Sequence, residues 1–180
     1  MNKIRLLDNS TINKIAAGEV VERPGSVVKE LIENAIDAGA GNITVEIKDG
    51  GTTFIRITDD GCGIPADDVK TAFLRHATSK IRSAEDLESV FSLGFRGEAL
   101  ASIAAVSKAE MVTKTREAEA GIRIRINGGI LEYIRPEGTS NGTSITIEDI
   151  FYNVPARRKF LKKPSTEAGH ISDVVMKFVL

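Results

Sequence analysis

Cysteine occurs once, at Cys62, and histidine twice, at His76 and His170, in a chain of 180 residues. One cysteine excludes an intramolecular disulfide framework and any multi-cysteine zinc site, and it suits a reducing, cytoplasmic compartment. The two histidines stand 94 residues apart, which leaves little material for a transition-metal cluster. No run of about 18 or more apolar residues is present, so no transmembrane helix and no membrane partner are expected. The start, MNKIRLLDNS, carries Asp8 and lacks the apolar stretch of a signal peptide. Internal repeats and long low-complexity stretches are missing too.

What is present reads as globular. Hydrophobic residues make up 42% and charged residues 27%, and the length suits one domain. A chain of this size buries roughly 70% of its unfolded surface. The net charge of −1 hides an asymmetry. Residues 1–90 hold 11 Lys and Arg against 15 Asp and Glu, and residues 91–180 hold 13 against 10. The two halves are therefore expected to do different work.

Ser10 and Thr11 predict the cap of a first helix, 11–18, ending near Gly18. Pro24 suits the first turn of a second helix, 24–38, with Gly39 as its stop. Segments 42–48 and 53–58 alternate around Gly50-Gly51 and read as a β-hairpin. Asp67 to Arg75 reads as a short helix, 76–97 as a long loop, and Glu98 to Val106 as a helix. Strands are expected at 110–115, 121–127, 130–135 and 143–149, with a turn at Gly128-Gly129. A helix from Thr166 closes the chain. Helices and strands in segregated blocks predict an α+β two-layer sandwich, a mixed and mostly antiparallel sheet with helices on one face.

The second helix carries the strongest chemical signal. Val27, Val28, Leu31, Ile32, Ala35 and Ile36 form one broad apolar face. Glu30, Glu33, Asn34 and Asp37 fall within about 100° of each other on the other face. Such a stripe is either a solvated surface or a cation site. Three acids and only Lys29 nearby repel one another at these spacings, and a bound Mg²⁺ would relieve that repulsion. Asp59-Asp60-Gly61-Cys62-Gly63 follows a strand, so its glycines make either a plain turn or a close approach to a ligand. Cys62 is expected to be a small buried residue. Gly94 to Leu100 opens a helix and is a candidate anion site, although neither a Walker A loop nor a GxGxxG pattern occurs.

Glu30-x-x-x-Asn34-x-x-Asp37-Ala38, then Asp59-x-Gly61-x-Gly63, then Gly94-Phe95-Arg96-Gly97-Glu98-Ala99-Leu100, then Gly142-Thr143 stand in one order. That order resembles the GHKL ATPase superfamily and its Bergerat-type fold. Ile15 to Val21, Arg75 to Lys80, Gly94 to Leu100 and Phe151 to Leu161 are similar in wording to the MutL mismatch-repair branch, in a bacterial version. The resemblance runs to about residue 170.

The resemblance implies roles. Glu30 would be the general base that activates water, and Asn34 would hold Mg²⁺ against the phosphates of ATP. Asp59 would receive the adenine amino group, with Gly63 and Thr143 closing that pocket. Thr78, Ser79, Lys80, Arg96 and Gly97, with the backbone of Glu98, Ala99 and Leu100, would cover the phosphates. Asp60 stands where many members carry Asn, beside the adenine carboxylate, and its extra charge is expected to act on nucleotide affinity. ATP binding would drive homodimerisation and signal to a mismatch-recognition protein and a downstream nuclease or helicase, in the bacterial cytoplasm at the nucleoid.

Arg157, Arg158, Lys159, Lys162 and Lys163 place five cations in seven residues. They read either as a solvated segment or as sequence-independent contacts to the DNA backbone. The apolar end, Val174 to Leu180, predicts a fragment of a longer protein. By the resemblance, a second N-terminal domain carrying a lysine for the γ-phosphate and a C-terminal dimerisation domain are absent. The alternative function is nucleotide or DNA binding without hydrolysis.

Overall fold

Alternation along the strands sets the architecture. The computed structural model describes residues 6, 8–75, 77 and 97–179. Six strands are present among them: β1 (Ile43–Lys48), β2 (Phe54–Asp59), β3 (Lys108–Lys114), β4 (Gly121–Asn127), β5 (Ile130–Glu137) and β6 (Gly142–Glu148). Their order in the sheet is β1-β2-β6-β3-β4-β5. Every neighbouring pair is antiparallel, so the sheet is purely antiparallel and not mixed as expected.

Inward positions recur every second residue. Ile55 and Ile57 of β2, Ala109 and Met111 of β3, Ile124 and Ile126 of β4, and Ile145 and Ile147 of β6 are buried against the helices. The helices cover that face: α1 (Asn9–Val20), α2 (Pro24–Asp37), α4 (Ala99–Ala105) and α6 (Pro164–Val179), with the short turns α3 (Ala66–Val69) and α5 (Pro155–Arg158). The other face is polar. There Arg123 pairs with Glu110 and, at 2.8 Å, with Glu137, and Arg125 pairs with Glu148 at 2.8 Å. No helix among the described residues is long and apolar enough to cross a membrane.

Several boundaries differ from expectation for identifiable reasons. Asp8, not Ser10 or Thr11, caps α1, accepting from the Thr11 amide at 2.9 Å and the Thr11 hydroxyl at 2.7 Å. The helix runs past Gly18 to Val20, and Arg157 caps its end from outside. The Arg157 guanidinium donates to the carbonyls of Gly18 at 2.9 Å and Val21 at 3.2 Å. These are carbonyls that a helix end leaves without an intrahelical partner. The expected helix over Asp67 to Arg75 is the short α3 followed by a 3₁₀ turn, Thr71–Phe73. α6 starts at Pro164, two residues before Thr166, since proline suits a first helical turn. Glu167, buried in that turn, accepts the Lys162 amide at 2.9 Å and fixes the approach to the helix.

α2 packs against both the sheet and α6, and this widens its buried arc. Glu33, expected on an open acidic stripe, is only 4% exposed and is held by Lys29 at 3.0 Å. Ile36, expected inside, is exposed.

Candidate active site

The carboxyl end of β2, the C-terminal half of α2 and the start of α4 surround one cavity of about 700 Å³. Its apolar floor includes Leu31, Ala35, Ile57 and Ile145. Asn34 and Asp37 enter from α2, Asp59 from the end of β2, Gly63 from the following loop and Thr143 from β6. Gly97, Glu98, Ala99 and Leu100 close the far side. Eight expected site residues thus meet in one place, though they come from four separate stretches of chain.

Asp59 is positioned by local geometry. Its Oδ1 accepts the Gly61 amide at 2.9 Å, which curls the chain directly after the strand. Burial raises its carboxyl above the ordinary range, opposed by backbone donors at Gly61 and Thr143, while Asp60 adds to the rise. A half-buried carboxylate facing an apolar cavity is a strong acceptor for a neutral N–H donor.

Beside it, Thr113 ties the walls together. Its hydroxyl oxygen accepts the Ile64 amide at 2.9 Å, lies 2.9 Å from the Thr143 hydroxyl and 3.1 Å from the Gly142 carbonyl. Sequence reasoning missed Thr113. The available signal was a polar residue in phase with Ala109 and Met111 on the inward face of β3.

Gly63 has φ +72°, and a Cβ there would lie 2.2 Å from the Lys114 carbonyl oxygen. Substitution meets both a left-handed backbone and a backbone clash. Gly63→Ala should therefore destabilise the domain by at least about 1–3 kcal/mol, read as a lower midpoint in chemical unfolding. An unchanged midpoint would contradict the tight apposition of this loop and β3.

Other expectations shift. Cys62 is exposed and lines the cavity instead of packing inside. Asp60 turns away from the cavity. It accepts the amides of Gly41 at 2.7 Å and Asn42 at 2.8 Å, and the Asn42 side-chain amide at 2.8 Å. Hydrogen bonds from the Asn42 side chain and backbone lower its pKa below the ordinary carboxylate range. Its reach to the site is its charge acting on Asp59. Glu30 sits one helical turn before Asn34 on α2, partly exposed, with its carboxylate 4.0 Å from Lys29, and it stands outside the cavity lining. Thr78, Ser79, Lys80 and Arg96 lie outside the described residues.

The cavity wall bears four carboxylates, Asp37, Asp59, Asp68 and Glu98, and no cationic side chain among the described residues. The described residues also contain no group of three or more His, Cys, Asp or Glu placed to hold a metal. The donor set suits a hard ion that needs few protein ligands, because Asn34 offers a neutral oxygen at the wall.

A family model described as histidine kinase-, DNA gyrase B-, and HSP90-like ATPase matches residues 22–149. The chain belongs to this ATPase family. That span takes in α2, the β2 loop, α4 and β6, the elements that build the cavity. Within the ATPase family the chain is similar to DNA mismatch repair protein MutL of Caldanaerobacter subterraneus subsp. tengcongensis, 61% identical over 181 residues, covering 100% of this chain and 30% of that protein. MutL of Agathobacter rectalis is 61% identical over 180 residues, covering 100% of this chain and 28% of that one. The chain therefore spans less than a third of these curated relatives.

Among solved structures, the Aquifex aeolicus MutL ATPase domain complexed with ADP superposes with a TM-score of 0.68 at 34% identity, covering 88% of this chain and 55% of that one. The N-terminal domain of a DNA repair protein gives 0.75 at 28% identity, covering 91% and 47%. The α+β sandwich and the resemblance to MutL-type ATPases are both borne out.

Proposed function

We propose that the chain is the ATP-binding and ATP-hydrolysing switch domain of a DNA mismatch-repair protein. The observation that carries this is the meeting of Asn34, Asp59, Gly63, Thr143 and the Gly97 to Leu100 segment around one cavity. In this reading the adenine lies on the apolar floor with its amino group donated to Asp59. Thr143 and Gly63 bound the base, and the Gly97 to Leu100 backbone faces the phosphates. Thr78, Ser79, Lys80 and Arg96 complete the cover. Glu30, one turn from Asn34, orients and deprotonates the attacking water. The ADP complex of the similar Aquifex domain supports the choice of nucleotide.

Mg²⁺, held through Asn34, would neutralise phosphate charge. A triphosphate entering a wall of four carboxylates otherwise meets like charge, and phosphoryl transfer depends on positioning and charge neutralisation. Calorimetric titration with a non-hydrolysable ATP analogue and Mg²⁺ should saturate at one site. With EDTA in place of Mg²⁺ the affinity should fall at least about tenfold, as expected for the loss of about 1.4 kcal/mol. Binding of equal strength in EDTA would remove Asn34 from its metal role, and no binding at all would remove the function.

Nucleotide binding is proposed to drive dimerisation of the longer protein and to signal to a mismatch-recognition protein and a nuclease or helicase. DNA contact is assigned to Arg158, Lys159, Lys162 and Lys163, which are exposed beside Phe160, itself 82% exposed. None of the four cations makes an ion pair among the described residues. Arg157 is left out of that set, because its guanidinium is engaged with the α1 carbonyls.

A further inference from the structure

At the carboxyl end of β2, three side chains stand in one row. Asp59 of β2 pairs with Thr143 of β6, and Thr143 pairs with Thr113 of β3, so all three share the helix-covered side of the sheet. The Thr143 amide donates to the Asp59 carboxylate, which sets the Thr143 side chain beside it in the cavity wall. Thr113 lies behind Thr143, 1% exposed and outside the cavity lining.

A hydroxyl has one proton to give and two lone pairs to accept with. Thr113 accepts the Ile64 amide at 2.9 Å. Its contact with the Gly142 carbonyl at 3.1 Å is a bond only if Thr113 donates, because a carbonyl oxygen only accepts. That uses the Thr113 proton. The contact with Thr143 at 2.9 Å is then a bond only if Thr143 donates. The reverse assignment leaves the Thr113 and Gly142 oxygens facing each other at 3.1 Å in a buried place with no proton between them, which costs free energy. One arrangement of protons satisfies all three contacts.

We propose that Thr113 sets the base specificity of the nucleotide cavity: by taking the Thr143 proton, it makes Thr143 a hydrogen-bond acceptor toward the base. Thr113 acts through Thr143 and does not touch the nucleotide, so it is a positioning residue. The proposal rests on the ATP reading of the cavity and adds a reason for the choice of adenine. Two acceptors, the Asp59 carboxylate and the Thr143 oxygen, face the base edge. The exocyclic amino group of adenine brings N–H donors to such an edge. Hypoxanthine carries a carbonyl at the same carbon and brings a third acceptor. A site built on buried polar groups rejects the base that leaves them unmatched. Thr113→Val keeps the shape of the side chain and removes its oxygen. The Thr143 proton then turns to the Asp59 carboxylate or to the base, and in either case one acceptor is lost.

The test is calorimetry with Mg²⁺, comparing a non-hydrolysable ATP analogue with its inosine counterpart. The parent, Thr113→Val, Thr113→Ser and Thr143→Val are titrated, and their unfolding midpoints show which are folded. The parent should favour the adenosine analogue. In Thr113→Val that preference should shrink about tenfold. Thr113→Ser keeps the hydroxyl and should hold the preference within about twofold of the parent. Thr143→Val removes the second acceptor itself and should also shrink the preference about tenfold, so the proposal is tested even if Thr113→Val does not fold. A preference unchanged in Thr113→Val, with both nucleotides weakened alike, would make Thr113 a wall residue only. A preference kept in Thr143→Val, or lost in Thr113→Ser as in Thr113→Val, would equally overturn the assignment. Each of these results leaves the ATP reading standing. A parent that binds neither analogue overturns both.

Discussion

Glu30→Ala should lower ATP turnover about 100- to 10,000-fold, the range that a positioned general base supplies. Glu30 lies near the middle of α2 with Asn34 four residues on, so the two side chains emerge one above the other. The carboxylate stands outside the cavity lining, which suits a group that acts on water at the edge of the phosphates and does not hold the nucleotide. Its contact with Lys29 is a partly exposed pair at 4.0 Å, and such pairs contribute about 0–1 kcal/mol. The variant should bind the ATP analogue within about twofold of the parent, with its unfolding midpoint measured alongside to show that it is folded. Phosphate release and calorimetry on the same preparation separate these effects. Turnover within about tenfold of the parent would remove Glu30 as the base. Loss of analogue binding would show that it holds nucleotide instead. A parent that binds the analogue with no measurable turnover would favour binding without hydrolysis.

Asp59→Asn should weaken nucleotide binding about 10- to 100-fold or more, the cost of losing a charged hydrogen bond and burying a mismatch. Oδ1 is engaged by the Gly61 amide, so an asparagine that keeps that bond turns its NH₂ toward the cavity. Two donors would then face each other across the adenine edge. The same change should act on the empty domain with the opposite sign. Burial raises the Asp59 pKa above its unfolded value, so the folded state takes up a proton at higher pH. Its ionised form costs stability at neutral pH, and that cost is relieved as pH falls through the raised folded value. Asparagine carries no charge, so the empty variant should melt no lower than the parent at pH 7 while its melting shift with ATP disappears. Parent-like affinity in Asp59→Asn would mean that the base lies elsewhere. For the parent, analogue affinity should decline as the pH is lowered through the raised Asp59 value.

Local patterns in the sequence carried most of the element boundaries. The Gly128-Gly129 turn between β4 and β5 is an example, since positive φ at both residues is what a tight hairpin demands. α2 was legible in its extent but not in its environment. Glu33 looks like a surface acid by periodicity, yet it is buried and paired with Lys29 on a helix that packs against both the sheet and α6. Asp60 was likewise legible in place but not in environment. Its neighbour in sequence is the site carboxylate, yet its own oxygens serve the Gly41 and Asn42 amides, 18 or 19 residues earlier. Arg157 was read by its charge as part of a basic surface, and its partner is a helix end 136 to 139 residues away. For Asp60 and Arg157 the deciding contact is long-range, and periodicity reports only on neighbours along the chain. The residues that line the cavity could be picked out because their motifs read as a set, while the apolar floor under them looked like any other core.

The place of β6 bears on how the protein comes off the ribosome. β1 and β2 form one local ribbon, and β3, β4 and β5 form another. The strand that joins them is made last and inserts at the centre, pairing with β2 on one side and β3 on the other. Until it does, Asp59 has no Thr143 beside it, and the cavity lacks a wall. A nascent chain short of Glu148 therefore carries Asn34, Asp59 and Gly63 without the Thr143 and Ile145 wall that completes the cavity, however well its earlier segments have formed. Nucleotide should consequently protect the finished domain all at once and leave every partly translated or partly unfolded form to the proteases.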